Sequence, residues 1–344
     1  MANGHINRFR IRKGLGGRYY SHKLVMNSLN VYIVILNWNG LKDTLECLHS
    51  IAKSGYATST VVIDNASLNG EAEKISEAFP RTVVLPQTEN LGFCGGCNVG
   101  IEYAMEHGAD YVMLLNNDTL ITDDLFERLF SGIQSLDHVA AVSPIILEHP
   151  NKEKVWYSDA RWVTGEAQFR ISRPEEAYAE LSVRDPFETE FACGCCMLIP
   201  VSALREVGLL DERYFAFYDE AGWCAQARKK GLRSYVVPAA RMYHKVSRST
   251  PKLVSTYLLT RNRLLWMKEN LSVRQRFQSV AYLLRDVIWH LANLVGLTKE
   301  HYSVPHSEAV LHGYWDYFRG RFGKWESQIE PLLFQPPSQG ERLS

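Results

Sequence analysis

From residue 31 onward, short apolar runs alternate with longer amphipathic stretches, and this rhythm restricts the fold more than any other feature of the chain. Runs that are apolar throughout are typical of strands buried on both faces of a parallel sheet. The amphipathic stretches between most of them, such as 41–53, have the period of helices. The sequence therefore predicts an α/β fold, Rossmann-like, with a mostly parallel sheet flanked by helices and strands at 31–36, 61–63, 83–85, 111–115, 140–142, 196–199 and 235–237.

Polar residues follow three of these predicted strands at the point where each strand ends. The carboxyl ends of parallel strands meet at one edge of a sheet, where ligands bind in such folds. Two strand-end aspartates, Asp64 and Asp118, are therefore expected to lie at the same edge. The polar residues that accompany them are Asn37, Trp38, Asn39, Asn116 and Asn117.

A glycine-rich segment at 89–98 leads into a helical pattern that runs to about His107. Exposed backbone amides at the start of a helix suit a phosphate group. The spacing of Gly92, Gly95 and Gly96 matches neither the dinucleotide fingerprint nor the P-loop. A tight structural turn is therefore the alternative interpretation of this segment.

Three acidic residues and one histidine are candidates for chemistry. Asp118 offers a hard oxygen ligand for a divalent cation, and His244, after the strand at 235–237, could complete that site. Asp219 and Glu220 open a helical pattern that runs to Gly231, where the helix dipole favours an ionised carboxylate that can act as a base. The structural alternatives are a turn or cap for the acids and a packed histidine.

Charge and cysteine content exclude some classes of function. Lys+Arg and Asp+Glu both number 38, so the chain lacks the excess of positive charge that nucleic-acid binding requires. The first thirty residues are basic without a single acid, which is typical either of a solvated tail or of a segment attracted to an anionic membrane surface. Seven scattered cysteines form neither a disulfide framework nor well-spaced zinc ligand pairs, which indicates a cytoplasmic protein without structural zinc. The basic segment also allows the protein to act at the inner face of the cell membrane.

The chain is expected to divide into a basic arm (1–30), an α/β domain (31–250), a C-terminal helical extension (251–325) and a tail (326–344). Residues 151–190 show no clean period and are interpreted as an irregular insertion that covers the site. The extension carries an apolar stripe that charged residues interrupt, so a membrane span is excluded. The stripe packs on the protein's own core or a second subunit, or lies on a bilayer; the oligomeric state stays open. Its residues are Val280, Leu283, Leu284, Val287, Ile288, Leu291, Leu294 and Val295.

Several segments, in order along residues 31 to 265, resemble family 2 glycosyltransferases with a GT-A fold, and most closely their bacterial rhamnosyltransferase-like branch. The matching segments are Ile35-Leu-Asn-Trp-Asn-Gly40, Val62-Ile-Asp-Asn-Ala-Ser67, Glu89-Asn-Leu-Gly-Phe93 with Gly95-Gly96, Leu115-Asn-Asn-Asp118, Gly208-Leu-Leu-Asp-Glu212 and Tyr243-His244.

The resemblance implies roles for individual residues. Asp64 would contact the nucleobase, and Asn90 and Gly95 would line the nucleotide pocket. Residues 116–118 would form the DXD-like motif, with His244 as the late metal ligand. The family's Glu-Asp-x-Asp motif corresponds here to Asp219-Glu220-Ala221-Gly222, so Glu220 matches the catalytic base and Asp219 remains a candidate. An arginine within 257–263 would face the pyrophosphate or lie at the surface.

The resemblance also implies an inverting transfer from a nucleotide-diphosphate sugar, with dTDP-rhamnose suggested, to a hydroxyl of a glycan or lipid-linked acceptor. Mg²⁺ or Mn²⁺ would serve as cofactor. The alternatives are a noncatalytic sugar-nucleotide-binding protein of the same fold, suggested by the missing acid at Gly222, and a nucleotidyltransferase.

Overall fold

A computed structural model describes residues 29–151, 153–172, 177–246, 251–298 and 303–324, so nearly all of the predicted arm and the whole tail lie outside the described residues. The strands are β1 (Val31–Asn37), β2 (Ser59–Asp64), β3 (Val83–Pro86), β4 (Tyr111–Asn116), β5 (Thr119–Ile121), β6 (Val139–Glu148), β7 (Val155–Tyr157), β8 (Arg161–Val163), β9 (Gln168–Arg170), β10 (Phe187–Thr189), β11 (Cys196–Pro200) and β12 (Arg233–His244).

Helices lie between many of the strands and make up the C-terminal region. They are α1 (Leu41–Ser54), α2 (Glu71–Ala78), α3 (Gly92–Glu106), α4 (Leu125–Ile133), α5 (Tyr178–Leu181), α6 (Val201–Val207), α7 (Asp219–Lys229), α8 (Lys252–Asn270), α9 (Val273–Leu294) and α10 (Val304–Phe318).

One sheet runs through the fold in the order β10-β12-β6-β11-β4-β1-β2-β3, with β5 paired to β12 and β7 paired to β6. The strands β3, β2, β1 and β4 are parallel to one another, and β12 is parallel to β6. The α/β fold is thus confirmed, but the sheet is mixed because β11 lies antiparallel between β4 and β6. The apolar run in β11 correctly predicted a buried strand but carries no information on its direction.

Gly96 of the glycine-rich segment and Gly100, further along the helix, pack α3 closely against β1. A Cβ atom at Gly96 would lie 2.3 Å from Leu36 Cδ1, and one at Gly100 would lie 2.3 Å from Val34 Cγ1. A side chain at either position would push the helix away from the sheet. Packing therefore explains much of the glycine content here, and it brings the start of α3 to the carboxyl end of β1.

The segment 151–190, expected to be irregular, contains the short strands β7 to β10 and helix α5, with β8 and β9 forming a separate hairpin. The three helices α8 to α10 follow, as the apolar periodicity predicts. Leu283 and Val287 of α9 pack against a cluster of Leu264, Val310 and Tyr314, which joins the three helices. Within the described residues, none of the helices has the length and apolar character to cross a membrane.

Candidate active site

A cavity of about 790 Å³ lies beyond the ends of β1 and β4 and is closed by α7 and α8. Most of the predicted site residues contribute to its wall, although their positions in the sequence span more than two hundred residues. The predicted residues that line it are Trp38, Asn39, Asn90, Asn116, Asn117, Asp118, Asp219, Glu220 and His244.

Asp118 and His244 contact each other in the wall of this cavity. His244 Nε2 lies 3.1 Å from Asp118 Oδ1, and both residues are buried. The strands hold them together, because Thr119 of β5 pairs with His244 of β12 and the Lys245 amide donates to the Asp118 carbonyl. The opposite ring nitrogen of His244 lies 4.0 Å from the sulfur of Cys195.

The two side chains are spaced as two neighbouring ligands of a divalent cation would be. Two neighbouring ligands, each about 2.1 Å from an octahedral ion, lie about 3.0 Å apart. The carboxylate oxygen and the imidazole nitrogen have a separation close to this, 3.1 Å. No group of three or more metal-binding side chains occurs among the described residues, so water and donor oxygens would have to fill the remaining positions.

Asp219 and Glu220 begin α7 and form a coupled pair of carboxyl groups. Burial raises the pKa of both, and the Asp219 charge raises that of Glu220 further. Their mutual hydrogen bond lowers the pKa of Asp219 and raises that of Glu220. Backbone amides, including that of Phe217, stabilise the Asp219 carboxylate, whereas the Gly194 amide donates to Glu220. Asp219 is thus the more acidic of the two.

The loop before α7 is strained. Phe215, Phe217 and Tyr218 all have positive φ angles, between 64° and 67°. This region of backbone conformation costs a residue with a side chain about 1 kcal/mol or more, so neighbouring contacts have to hold it. The strain lies directly before the two carboxyl groups.

Asn262 of α8 holds this loop. Its side-chain amide donates to the carbonyls of Tyr214, Ala216 and Phe217 at 2.8 to 2.9 Å. Arg261 Nε donates to the side-chain oxygen of Asn262, which orients the amide. Helix α8 therefore holds the loop that leads into Asp219 and Glu220, a role that the sequence did not predict.

Asn37 and Asp64 do not line the cavity and lie beneath its wall. Asn37 Nδ2 donates to Asp64 Oδ1 at 2.8 Å and also contacts Glu71, while its oxygen accepts from Thr44. Thr44 in turn accepts from Asn117, which does line the cavity. The predicted nucleobase contact of Asp64 stays a prediction.

Gly95 and the arginines of the segment 257–263, Arg261 and Arg263, do not line the cavity, because each packs elsewhere in the protein. Gly95 lies inside α3, where an added Cβ would sit 2.9 Å from Leu91 Cβ, and it does not line the cavity. Arg261 is fully buried, and its guanidinium donates to carbonyls such as that of Gly323. Arg263 pairs with Asp286. Other partners engage both side chains and neither lines the cavity, so a contact between an arginine of this segment and pyrophosphate stays a prediction.

Sequence reasoning missed part of the cavity wall. Gly194 and Cys195 reach it from the turn before β11, and Thr256 and Leu259 reach it from α8. Asn65 also lines it and donates to the side-chain oxygen of Asn90. Only Asn65 had a signal in the sequence, since it follows Asp64 in a polar strand-end segment.

Comparison with known proteins agrees with this geometry. The model of the glycosyl transferase family 2 domain matches residues 32–208, which is slightly more than half of the chain. The chain belongs to glycosyl transferase family 2. The matched range includes Asp118, whereas Asp219, Glu220 and His244 lie beyond it. The cavity is therefore that of a glycosyltransferase.

Curated relatives of this family 2 chain include two named rhamnosyltransferases. The dTDP-rhamnosyl transferase RfbF of Shigella flexneri is 22% identical over 265 residues, covering 73% of this chain and 85% of the relative. The N-acetylglucosaminyl-diphospho-decaprenol L-rhamnosyltransferase of Mycobacterium tuberculosis is 24% identical over 227 residues, covering 58% and 70%. The low-salt glycan biosynthesis hexosyltransferase Agl10 of Haloferax volcanii is 25% identical over 302 residues, covering 86% and 92%.

Among solved structures, S. aureus TarS residues 1–349 superimposes with a TM-score of 0.52 at 14% identity, covering 84% of this chain and 81% of that one. Its complex with UDP-GlcNAc gives a TM-score of 0.51 at 13% identity, covering 89% and 84%. At this identity the likeness concerns the fold alone, which is the GT-A fold with additional C-terminal helices.

Proposed function

We propose that this family 2 glycosyltransferase transfers rhamnose from dTDP-rhamnose to a hydroxyl group of a glycan or lipid-linked acceptor, with inversion at the anomeric carbon. The observation that carries the proposal is one cavity whose wall contains both Asp118 in contact with His244 and a pair of carboxyl groups, Asp219 and Glu220. The names of the Shigella and mycobacterial relatives support rhamnose as the transferred sugar.

Glu220 is the proposed base. Asp219 is only 3% exposed and backbone amides engage its carboxylate, whereas Glu220 is partly exposed to the cavity. The ionised Glu220 accepts the proton of the acceptor hydroxyl while the hydroxyl oxygen attacks the anomeric carbon. The bond from that carbon to the diphosphate oxygen breaks in the same step, and no covalent sugar intermediate forms.

The leaving diphosphate acquires negative charge. A bound Mg²⁺ or Mn²⁺ supplies charge neutralisation there. Asp118 and His244 are the residues that would hold this ion, and the side-chain amides of Asn116 and Asn117 lie in the same wall to orient the donor. Trp38 and Asn39 would contact the nucleotide at the end of β1.

The acceptor and location form the finer part of the proposal. The name of the mycobacterial relative includes a decaprenyl diphosphate, which supports an acceptor of the same class, a sugar attached to a lipid diphosphate. Such an acceptor resides in a membrane, so the enzyme would act at the cytoplasmic face of the cell membrane.

A donor panel tests the proposal. The protein is incubated with Mn²⁺ or Mg²⁺, dTDP-, UDP- or GDP-sugars, and a short-chain N-acetylglucosaminyl-diphospho-lipid, and released nucleotide and glycosylated product are quantified. We expect dTDP-rhamnose to yield dTDP and a rhamnosylated lipid, and Glu220→Gln to lower the rate of both by about 10²-fold or more. Donor binding without any turnover would support the noncatalytic alternative, and release of pyrophosphate would indicate a nucleotidyltransferase.

A further inference from the structure

The outer face of α9 exposes a continuous row of apolar side chains. Phe277 is 79% exposed, Leu284 59% and Ile288 64%, and Val273, Leu291 and Val295 continue the row at intervals of three, four and seven residues. This spacing places them on one face of a helix. We call these six residues the α9 stripe. The opposite face packs on the protein, through residues such as Ser279 and His290, so the stripe is additional to the core.

The charges beside the α9 stripe have one sign. Arg274 and Arg285 are exposed and lie next to it along the helix. Asp286 is the one acidic residue between 273 and 294, and it faces inward, where it binds Arg263 and Tyr314. An apolar row flanked by arginines is typical of a helix that lies in the surface of an anionic bilayer.

The packed face of α9 connects the end of this helix to the candidate active site. His290, near the end of α9, contacts Ser307 at the start of α10, and the neighbouring His306 lies 3.5 Å from Thr256. Thr256 lines the cavity. Val304 of α10 is also exposed, 48%. These contacts link the end of α9, through the start of α10, to the wall of the cavity.

We propose that the α9 stripe docks on the surface of an anionic lipid bilayer and so brings the rim of the cavity at Thr256 to a lipid-anchored acceptor. This inference deepens the proposed function, on which its second half rests, by assigning the surface that meets the lipid. Leu284 and Ile288 would enter the boundary between headgroups and acyl chains, and Arg285 would bind lipid phosphates.

Charge favours a bilayer over a second copy of the chain as the occupant. If two copies paired through the stripe around Leu284, the Arg285 side chain of one copy would lie close to the Arg285 side chain of the other. Helix α9 has no exposed acidic residue that could compensate these positive charges. Like charges at close range oppose such pairing. Anionic headgroups provide the compensating charge.

Vesicle binding of the full-length protein tests the proposal. The probes are vesicles of phosphatidylcholine alone and of phosphatidylcholine with 30% phosphatidylglycerol, a composition that makes the surface anionic. We expect binding to the anionic vesicles and a loss of at least about tenfold in the double variant Leu284→Glu/Ile288→Glu. The matched control is Leu68→Glu/Val183→Glu, which places the same charges at apolar side chains that are 66% and 84% exposed elsewhere.

Each outcome has a defined meaning. The proposal is overturned if the α9 variant and the wild type bind the anionic vesicles equally, or if neither binds them. It is also overturned if the wild type is a dimer and the α9 variant is a monomer. Donor binding measured on the same variants separates this failure from failure of the proposed function. The α9 variant should bind nucleotide sugar as the wild type does, since neither substituted residue lines the cavity.

Discussion

The ring of Tyr214 occupies the space that a side chain at residue 222 would need. A Cβ atom at Gly222 would lie 2.8 Å from Tyr214 Cε2 and 3.2 Å from its hydroxyl oxygen. Tyr214 is 1% exposed, so it has little room to move. The acid missing from the family motif is thus replaced by an aromatic ring from the preceding 3₁₀ turn, Glu212–Tyr214.

Gly222→Asp is expected to destabilise the protein by about 1–3 kcal/mol, because the new side chain overpacks a filled position. The variant should show no gain in transferase activity. Thermal unfolding and turnover measure the two effects. Gly165→Ala is the control, since an added Cβ there meets nothing within 4 Å. A Gly222→Asp protein that is as stable as the wild type and more active would contradict this account and favour the noncatalytic alternative.

Glu220→Gln is expected to lower turnover by about 10²–10⁴-fold, as loss of a general base does, while donor affinity stays within about threefold of the wild type. Asp219→Asn should lose less, because its oxygen can still accept from the backbone amides that engage Asp219. Single-turnover kinetics and calorimetric titration with donor separate the two effects. A larger loss in Asp219→Asn would identify Asp219 as the base.

Activity is expected to rise with pH through the neutral range. Burial and the Asp219 charge raise the pKa of Glu220, and the base works only when ionised. A carboxyl group whose pKa is raised in the folded state lowers stability as the pH rises from its ordinary pKa to its raised one, so the protein should lose stability between about pH 4.5 and about pH 8 and level off above that range. Removing the Asp219 charge, in Asp219→Asn, should shift the acidic limb of the rate profile to lower pH. If the acidic limb stays at the same pH or moves to higher pH, the Asp219 charge does not raise the pKa of Glu220.

Asp118→Ala and His244→Ala are each expected to weaken metal-dependent donor binding at least about tenfold, since both side chains are proposed ligands. Titration of dTDP-rhamnose with and without Mn²⁺ measures this. Asp123→Ala is a close control, because Asp123 is exposed and does not line the cavity. If both variants keep the wild-type metal dependence, the cation binds elsewhere.

Asn262→Ala is expected to lower stability by about 1–3 kcal/mol, because it removes the donor for three loop carbonyls. Turnover should fall more than donor affinity does, since the strained loop leads into Asp219 and Glu220, the proposed catalytic pair. Asn262→Asp should be at least as harmful, because a carboxylate cannot donate. Asn270→Ala on the same helix is the control; equal effects on kcat in both variants would make the role of Asn262 merely structural.

Local patterns along the sequence were sufficient for much of the fold and for part of the cavity wall. Runs such as 31–36 and 111–115 show burial on both faces, and this predicted β1 and β4 and the edge of the sheet at which Asn39 and Asp118 lie. Strand ends are local features, so the residues that follow them can be recognised without knowledge of the fold. The helical start at Asp219 was predicted for the same reason.

The tertiary structure alone decided which distant residues meet. It determined that β11 runs antiparallel, that Tyr214 fills the space beside Gly222, that Asn262 holds the loop before Asp219, and that the α9 stripe lies outside the core. The sequence determined which side chains are apolar, acidic or strand-terminal, because these properties belong to each residue and its near neighbours. Direction, partner and exposure depend on contacts between residues far apart in the chain, and a local pattern carries no record of them.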